Sequence, residues 1–180
     1  MLIATFLTTI FYSATYPYIH KEIIVAVSSE IVALSQIVNC IGVIVCGWLW
    51  NRWSKQLFRF YPTYCVLETA LSVCSTVFAI ATSNVLAYYI IDTLIFAAVT
   101  RNIICGGIRL RALRYNTEED RERFDNNNNS ASSLATIIGS AIAMLLEFDF
   151  TTMLCIATIG NAIDNAFYLA IYQKTIKTQK

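Results

Sequence analysis

Apolar residues crowd into six stretches of the chain, at residues 2–19, 31–50, 62–81, 85–105, 131–148 and 153–172. Each runs about 18 to 21 residues, enough for an α-helix to cross roughly 30 Å of hydrocarbon. Polar interruptions are brief at two places. Only Thr82, Ser83 and Asn84 separate the third stretch from the fourth, and a short turn near Asp149 separates the fifth from the sixth. Those pairs are expected to form antiparallel hairpins. The pattern predicts an all-α polytopic membrane protein with six transmembrane helices in a single domain, residues 1–180. The first stretch has no basic leader, and Tyr12 stands where a cleavage site ending at Ala14 would want a small side chain, so it is read as a retained helix. Asn126 to Asn129 fall where the fifth helix should begin and are read as its cap. Pro17 is expected to hinge or end the first helix.

Composition moves the solvent from water to lipid. Of 180 residues, 57% are hydrophobic and 14% charged, against about 25% charged in an average soluble domain; the mean hydropathy is +0.57. A formal net charge of +1 lacks the basic stripe that nucleic-acid binding requires, so no nucleic-acid partner is expected. The basic residues sort by side. Arg52, Lys55 and Arg59 follow the second helix; Arg101, Arg109, Arg111, Arg114, Arg121 and Arg123 lie from the fourth helix to the fifth; Lys174, Lys177 and Lys180 form the tail. With six spans and both termini cytoplasmic, Lys21 alone violates the positive-inside rule, and the plasma (inner) membrane is the expected location. Trp48, Trp50 and Trp53 make an aromatic belt at the cytoplasmic end of the second helix.

The candidate chemistry is sparse. Cys40, Cys46, Cys65, Cys74, Cys105 and Cys155 all lie in apolar stretches with no CxxC pair, so they are read as free thiols acting as small apolar side chains. With His20 the only histidine, no metal site is expected, and no cofactor. Nor is an enzyme, since HExxH, GxSxG and paired acids beside a histidine are absent.

Charges at membrane depth are costly and mark functional candidates. Three acids qualify: Glu68 in the third helix, Asp92 in the fourth and Asp164 in the sixth. Each reads as a proton or cation site, or else as a protonated acid hydrogen-bonded to a neighbouring helix. Asp164 stands out because Asn161, Asp164, Asn165 and Tyr168 recur at i, i+3, i+4 and i+7, one polar stripe on one helix face. Gln36 and Asn39 on the second helix and Tyr12 and Tyr16 on the first could line a cavity with them, tyrosine offering an apolar face and a hydroxyl. Gly139 and Ala143 on the fifth helix read as a close-packing pair.

The loop after the second helix reads Gly47-Trp48-Leu49-Trp50-Asn51-Arg52-Trp53-Ser54-Lys55-Gln56. It resembles the signature between helices 2 and 3 of the major facilitator superfamily, Gly-x-Leu-x-Asp-Arg-x-Gly-Arg-Arg. Gly47, Leu49, Arg52 and Lys55 match in identity or charge, while Asn51 replaces the acid and Ser54 the second glycine. The stretch from Arg101 through the charged loop is similar to that of the superfamily's drug and siderophore exporters. The resemblance implies one six-helix half built from 3+3 inverted repeats, with Gly47, Leu49, Asn51, Arg52, Lys55 and Arg101 as a gating motif and Gly47 allowing close approach at the helix end. It further implies a secondary active transporter moving a small-molecule solute by alternating access, with proton-coupled efflux as one mode open to it. Its partners would be membrane lipid and a homodimer mate or second six-helix half. A substrate-binding or regulatory membrane subunit, and a fragment of a twelve-helix transporter, are the alternatives.

Overall fold

The structure is a computed structural model describing residues 2–115, 117–145 and 148–178; of the sequence-predicted features, Lys180 and part of the stretch 131–148 lie outside these. Among the described residues there are α-helices, one π-helical turn and no strand. In chain order they are α1 (Leu2–Ala26), α2 (Ser29–Arg59), α3 (Tyr61–Thr82), α4 (Val85–Ile95), the π-turn Phe96–Thr100, α5 (Arg101–Arg114), α6 (Glu118–Leu145) and α7 (Phe150–Thr178). The fourth apolar stretch thus becomes α4, the π-turn and the start of α5. Four helical stretches among the described residues are long and apolar enough to cross a membrane: 29–59, 61–82, 85–114 and 150–177. The chain therefore has the make-up of an integral membrane protein.

Local chemistry explains the tight turn between α3 and α4. Ser83 adopts a left-handed backbone, φ 51°, ending α3. Asn84 then caps α4, its side-chain oxygen accepting the Ala87 N–H at 2.9 Å. Asp149 does the same for α7, accepting the Thr152 N–H at 3.2 Å. Two expectations are corrected. Pro17 does not end the first helix: it lies inside α1, which continues to Ala26. The run Asn126 to Asn129 lies inside α6, whose first turn carries Glu118, Glu119 and Asp120 instead, acids that favour a helix N-terminus.

The helices fall into two compact units. The first comprises residues 1–20 and 110–180, essentially α1, α6 and α7. Here Gly139 lets α6 close on α1: a Cβ at that position would stand 2.6 Å from the Ile10 carbonyl oxygen, and the Tyr18 hydroxyl donates to the Ala143 carbonyl. The expected close packing through Gly139 and Ala143 is present. An ion pair, Arg111 to Asp125 at 2.6 Å, joins the end of α5 to α6 in this unit.

The second unit, residues 21–109, packs α2, α3 and the α4–α5 run. Gly42 of α2 meets the π-turn so closely that a Cβ would lie 2.6 Å from the Ala97 carbonyl oxygen. Gly106 of α5 lies under the fully buried ring of Tyr61. Ser35 and Tyr89 exchange a hydroxyl hydrogen bond at 2.5 Å between α2 and α4, and the Trp50 indole N–H donates to Asn102 at 2.9 Å. The helix α2 bends at Trp53, whose φ of −125° and ψ of 31° are not helical. None of the six cysteines forms a disulfide among the described residues, as the sequence predicts.

Candidate functional site

The sequence-predicted residues divide between the two units. In the first, Asp164 of α7 is half-buried and accepts a hydrogen bond from the Thr8 hydroxyl of α1 at 2.8 Å. The same Oγ1 lies 2.9 Å from the Ala4 carbonyl, so its single proton is shared between its own helix and the acid. On the polar stripe of α7, Asn165 is buried, whereas Asn161 and Tyr168 are half-buried. One turn beyond Thr8 along α1, Tyr12 begins a stack of exposed rings: Tyr12 on Tyr16 at 5.0 Å between centroids, then Tyr16 on His20 at 5.2 Å. The i, i+4 spacing puts consecutive rings on one helix face.

In the second unit Glu68 of α3 is buried, 5% exposed. It accepts a 2.5 Å hydrogen bond from the Thr100 hydroxyl. A buried carboxyl without such a donor would be strongly disfavoured. Asp92 of α4 is exposed. Gln36 is exposed, while Asn39 is half-buried with its Oδ1 enclosed and without a donor among the described residues.

The π-turn sets the last part of this geometry. In a regular α-helix, residues five apart are separated by about 140°, but the i→i+5 bonding of a π-turn brings them into line. The Arg101 N–H bonds the Phe96 carbonyl, and the Arg101 guanidinium accordingly lies over the Phe96 ring, 4.7 Å from its centroid. The side chain runs back toward α4 rather than onward along α5. Its Nε is enclosed without an acceptor among the described residues.

The other residues of the resembled motif lie toward the C-terminal end of α2. Asn51, Arg52 and Lys55 are exposed, and Leu49 is half-buried. Arg52 lies over the Trp53 ring at 5.6 Å. A Cβ at Gly47 would meet open space, so the close approach expected there is not formed.

Two residues in these contacts escaped the sequence reading. Thr8 and Thr100 carry no signal of their own, because apolar helices hold many threonines bonded to their own backbone. A partner search from each acid to hydroxyls on other helices would have included them without ranking them. Comparison with protein-family models, curated proteins and solved structures finds no match for this chain.

Proposed function

We propose that the chain is a half-size secondary active transporter of the major-facilitator type, working as a dimer and moving a small solute by alternating access, with proton coupling through its membrane acids. The observation that carries this reading is the pair of acid–threonine contacts, Glu68 with Thr100 and Asp164 with Thr8. Each holds a carboxyl in an apolar helix against a hydroxyl of a different helix. A hydroxyl donates to a carboxylate and still accepts from a protonated acid, so the contact survives loading and release of a proton while its polarity reverses. Acids within apolar membrane helices are costly and mark functional sites by default.

The sorting of helices agrees with 3+3 repeats. Counting apolar stretches from the N-terminus, one unit holds the first, fifth and sixth and the other holds the fourth, second and third. Moving each number by three exchanges the two sets, as internal repeats require. On this reading six spans place both termini in the cytoplasm, and Gly47, Leu49, Asn51, Arg52, Lys55 and Arg101 serve gating.

The test is gradient-driven flux of a solute panel into proteoliposomes containing the full chain. Asp164→Asn and Glu68→Gln, each still folded by circular dichroism, are expected to lower flux at least about tenfold while sparing gradient-independent binding. Unchanged flux in both variants overturns the coupling assignment. A substrate-binding subunit would instead bind the solute without any flux in the parent protein.

A further inference from the structure

One end of the second unit is basic throughout. Residues 47–61 and 101–109 carry Arg52, Lys55, Arg59, Arg101 and Arg109 and contain no aspartate or glutamate. Side-chain contacts hold the two stretches together. Arg109 donates from Nη1 to the Ser54 hydroxyl at 2.8 Å, and its guanidinium lies 5.6 Å from the centroid of Phe58. Phe58 stacks in turn on Tyr61 at 5.9 Å. Arg109 is thereby fixed in place, yet its Nε is enclosed and meets no acceptor among the described residues. None of Arg52, Lys55, Arg59 or Arg109 has a carboxylate partner among the described residues. Arg52, Lys55 and Arg59 are exposed. Arg101 is turned away over Phe96.

The apolar groups of the same surface indicate where its counter-charge comes from. Trp48, Trp53 and Phe60 are 57%, 38% and 56% exposed. Trp48 and Trp53 meet edge to face at 5.4 Å. Tryptophan prefers the headgroup level of a bilayer. The bend at Trp53 redirects the last turns of α2, residues 54–59, which carry Lys55 and Arg59. A soluble phosphate would satisfy the cations and leave these rings in water. A lipid satisfies both, its phosphate meeting the guanidinium and its acyl chains covering the rings.

We infer that this end of the second unit is a docking surface for anionic phospholipid, with Arg109 as the fixed phosphate-binding group and Lys55 and Arg59 adding charge beside it. The surface requires that the helices cross a bilayer and does not depend on transport. Guanidinium is suited to phosphate through its paired donors, and each cation near an anionic surface strengthens the attraction about fivefold.

All three tryptophans of the chain, Trp48, Trp50 and Trp53, lie in residues 47–61, so tryptophan emission, excited at wavelengths that tyrosine does not absorb, reports on this part of the chain, with Trp48 and Trp53 at its surface. The full chain is reconstituted into phosphatidylcholine bilayers containing a small fraction of brominated phosphatidylglycerol or, separately, brominated phosphatidylcholine. Preferential quenching by the anionic lipid is expected. Lys55→Gln and Arg109→Gln should each reduce that preference about fivefold, Arg109→Lys should retain most of it, and Lys177→Gln, which removes a charge elsewhere, should leave it intact. Equal quenching by the two lipids, or an equal loss in Lys177→Gln, overturns the proposal. Abolition of the preference by millimolar inorganic phosphate at constant ionic strength also overturns it, in favour of a soluble anion. Should Arg109→Gln fail to fold, Lys55→Gln on the exposed surface decides the matter.

Discussion

Single side chains set limits on what this chain tolerates. The Gly106 position has no room: a Cβ there would come within 2.1 Å of the Tyr61 ring, and Tyr61 is fully buried. Gly106→Ala is therefore expected to destabilise the protein by about 3 kcal/mol, read as a lowered unfolding midpoint in detergent; an unchanged midpoint would show that the ring can retreat. Gly47→Ala, facing open space, is its built-in comparison. At the start of α7, hydrogen bonding from Thr152 holds the Asp149 carboxyl below its ordinary value of 3.8. A lowered carboxyl contributes stability that is present above the unfolded value and is lost as the pH falls through the folded one. Asp149→Ala should accordingly melt below the parent protein at pH 7. The gap should close as the pH falls through the lowered folded value, once the parent carboxyl is protonated; a gap independent of pH would rule out the charged cap.

At the scale of the elements, the π-turn Phe96–Thr100 is the feature with the most specific consequence. A π-turn behaves as one residue inserted into an α-helix. Deleting Ala98 should convert it to regular helix while leaving α4 and α5 near their original phases, whereas deleting Ala87 rotates one flank by about 100° against the other. Thermal unfolding and size-exclusion profiles of the two deletions should differ sharply, the Ala98 deletion being the milder; equal damage would contradict the insertion account. Hydropathy announces none of this. It located the apolar stretches that became helices and the Thr82-Ser83-Asn84 turn, because burial in lipid and the refusal of Ser83 and Asn84 to continue a helix are both written in residue type. It could not find the π-turn or the bend at Trp53, since each shifts the register by a fraction of a turn without altering composition. The helix limits of α6 were missed for a related reason. Glu118, Glu119 and Asp120 serve a helix start as well as asparagine does, so polarity alone marked where the apolar part begins rather than where the helix begins. Of the candidate site, the acids were legible as charges out of place; their partners Thr8 and Thr100 were not, because pairing across helices depends on packing.

For the molecule as a whole, the proposed function demands a second bundle. Gently solubilised protein, corrected for bound detergent and lipid, should have twice the chain mass of 20.2 kDa. A monomer that still catalyses flux would refute the dimer, and co-purification with another chain would favour the subunit reading. The bend in α2 has one more consequence, for the bilayer that can host the protein. Straight, its 31 residues would reach about 46 Å, against a hydrocarbon layer near 30 Å, and such an excess is ordinarily absorbed by tilting the whole helix. With residues 53–59 redirected at Trp53, about 10 Å of the surplus leaves the axis of the spanning part. The helix can then meet thicker or thinner membranes by changing how far the bend sits from the bilayer centre, so hydrophobic mismatch is taken up at one joint while the contacts of Ser35 and Gly42 deeper in the helix keep their register.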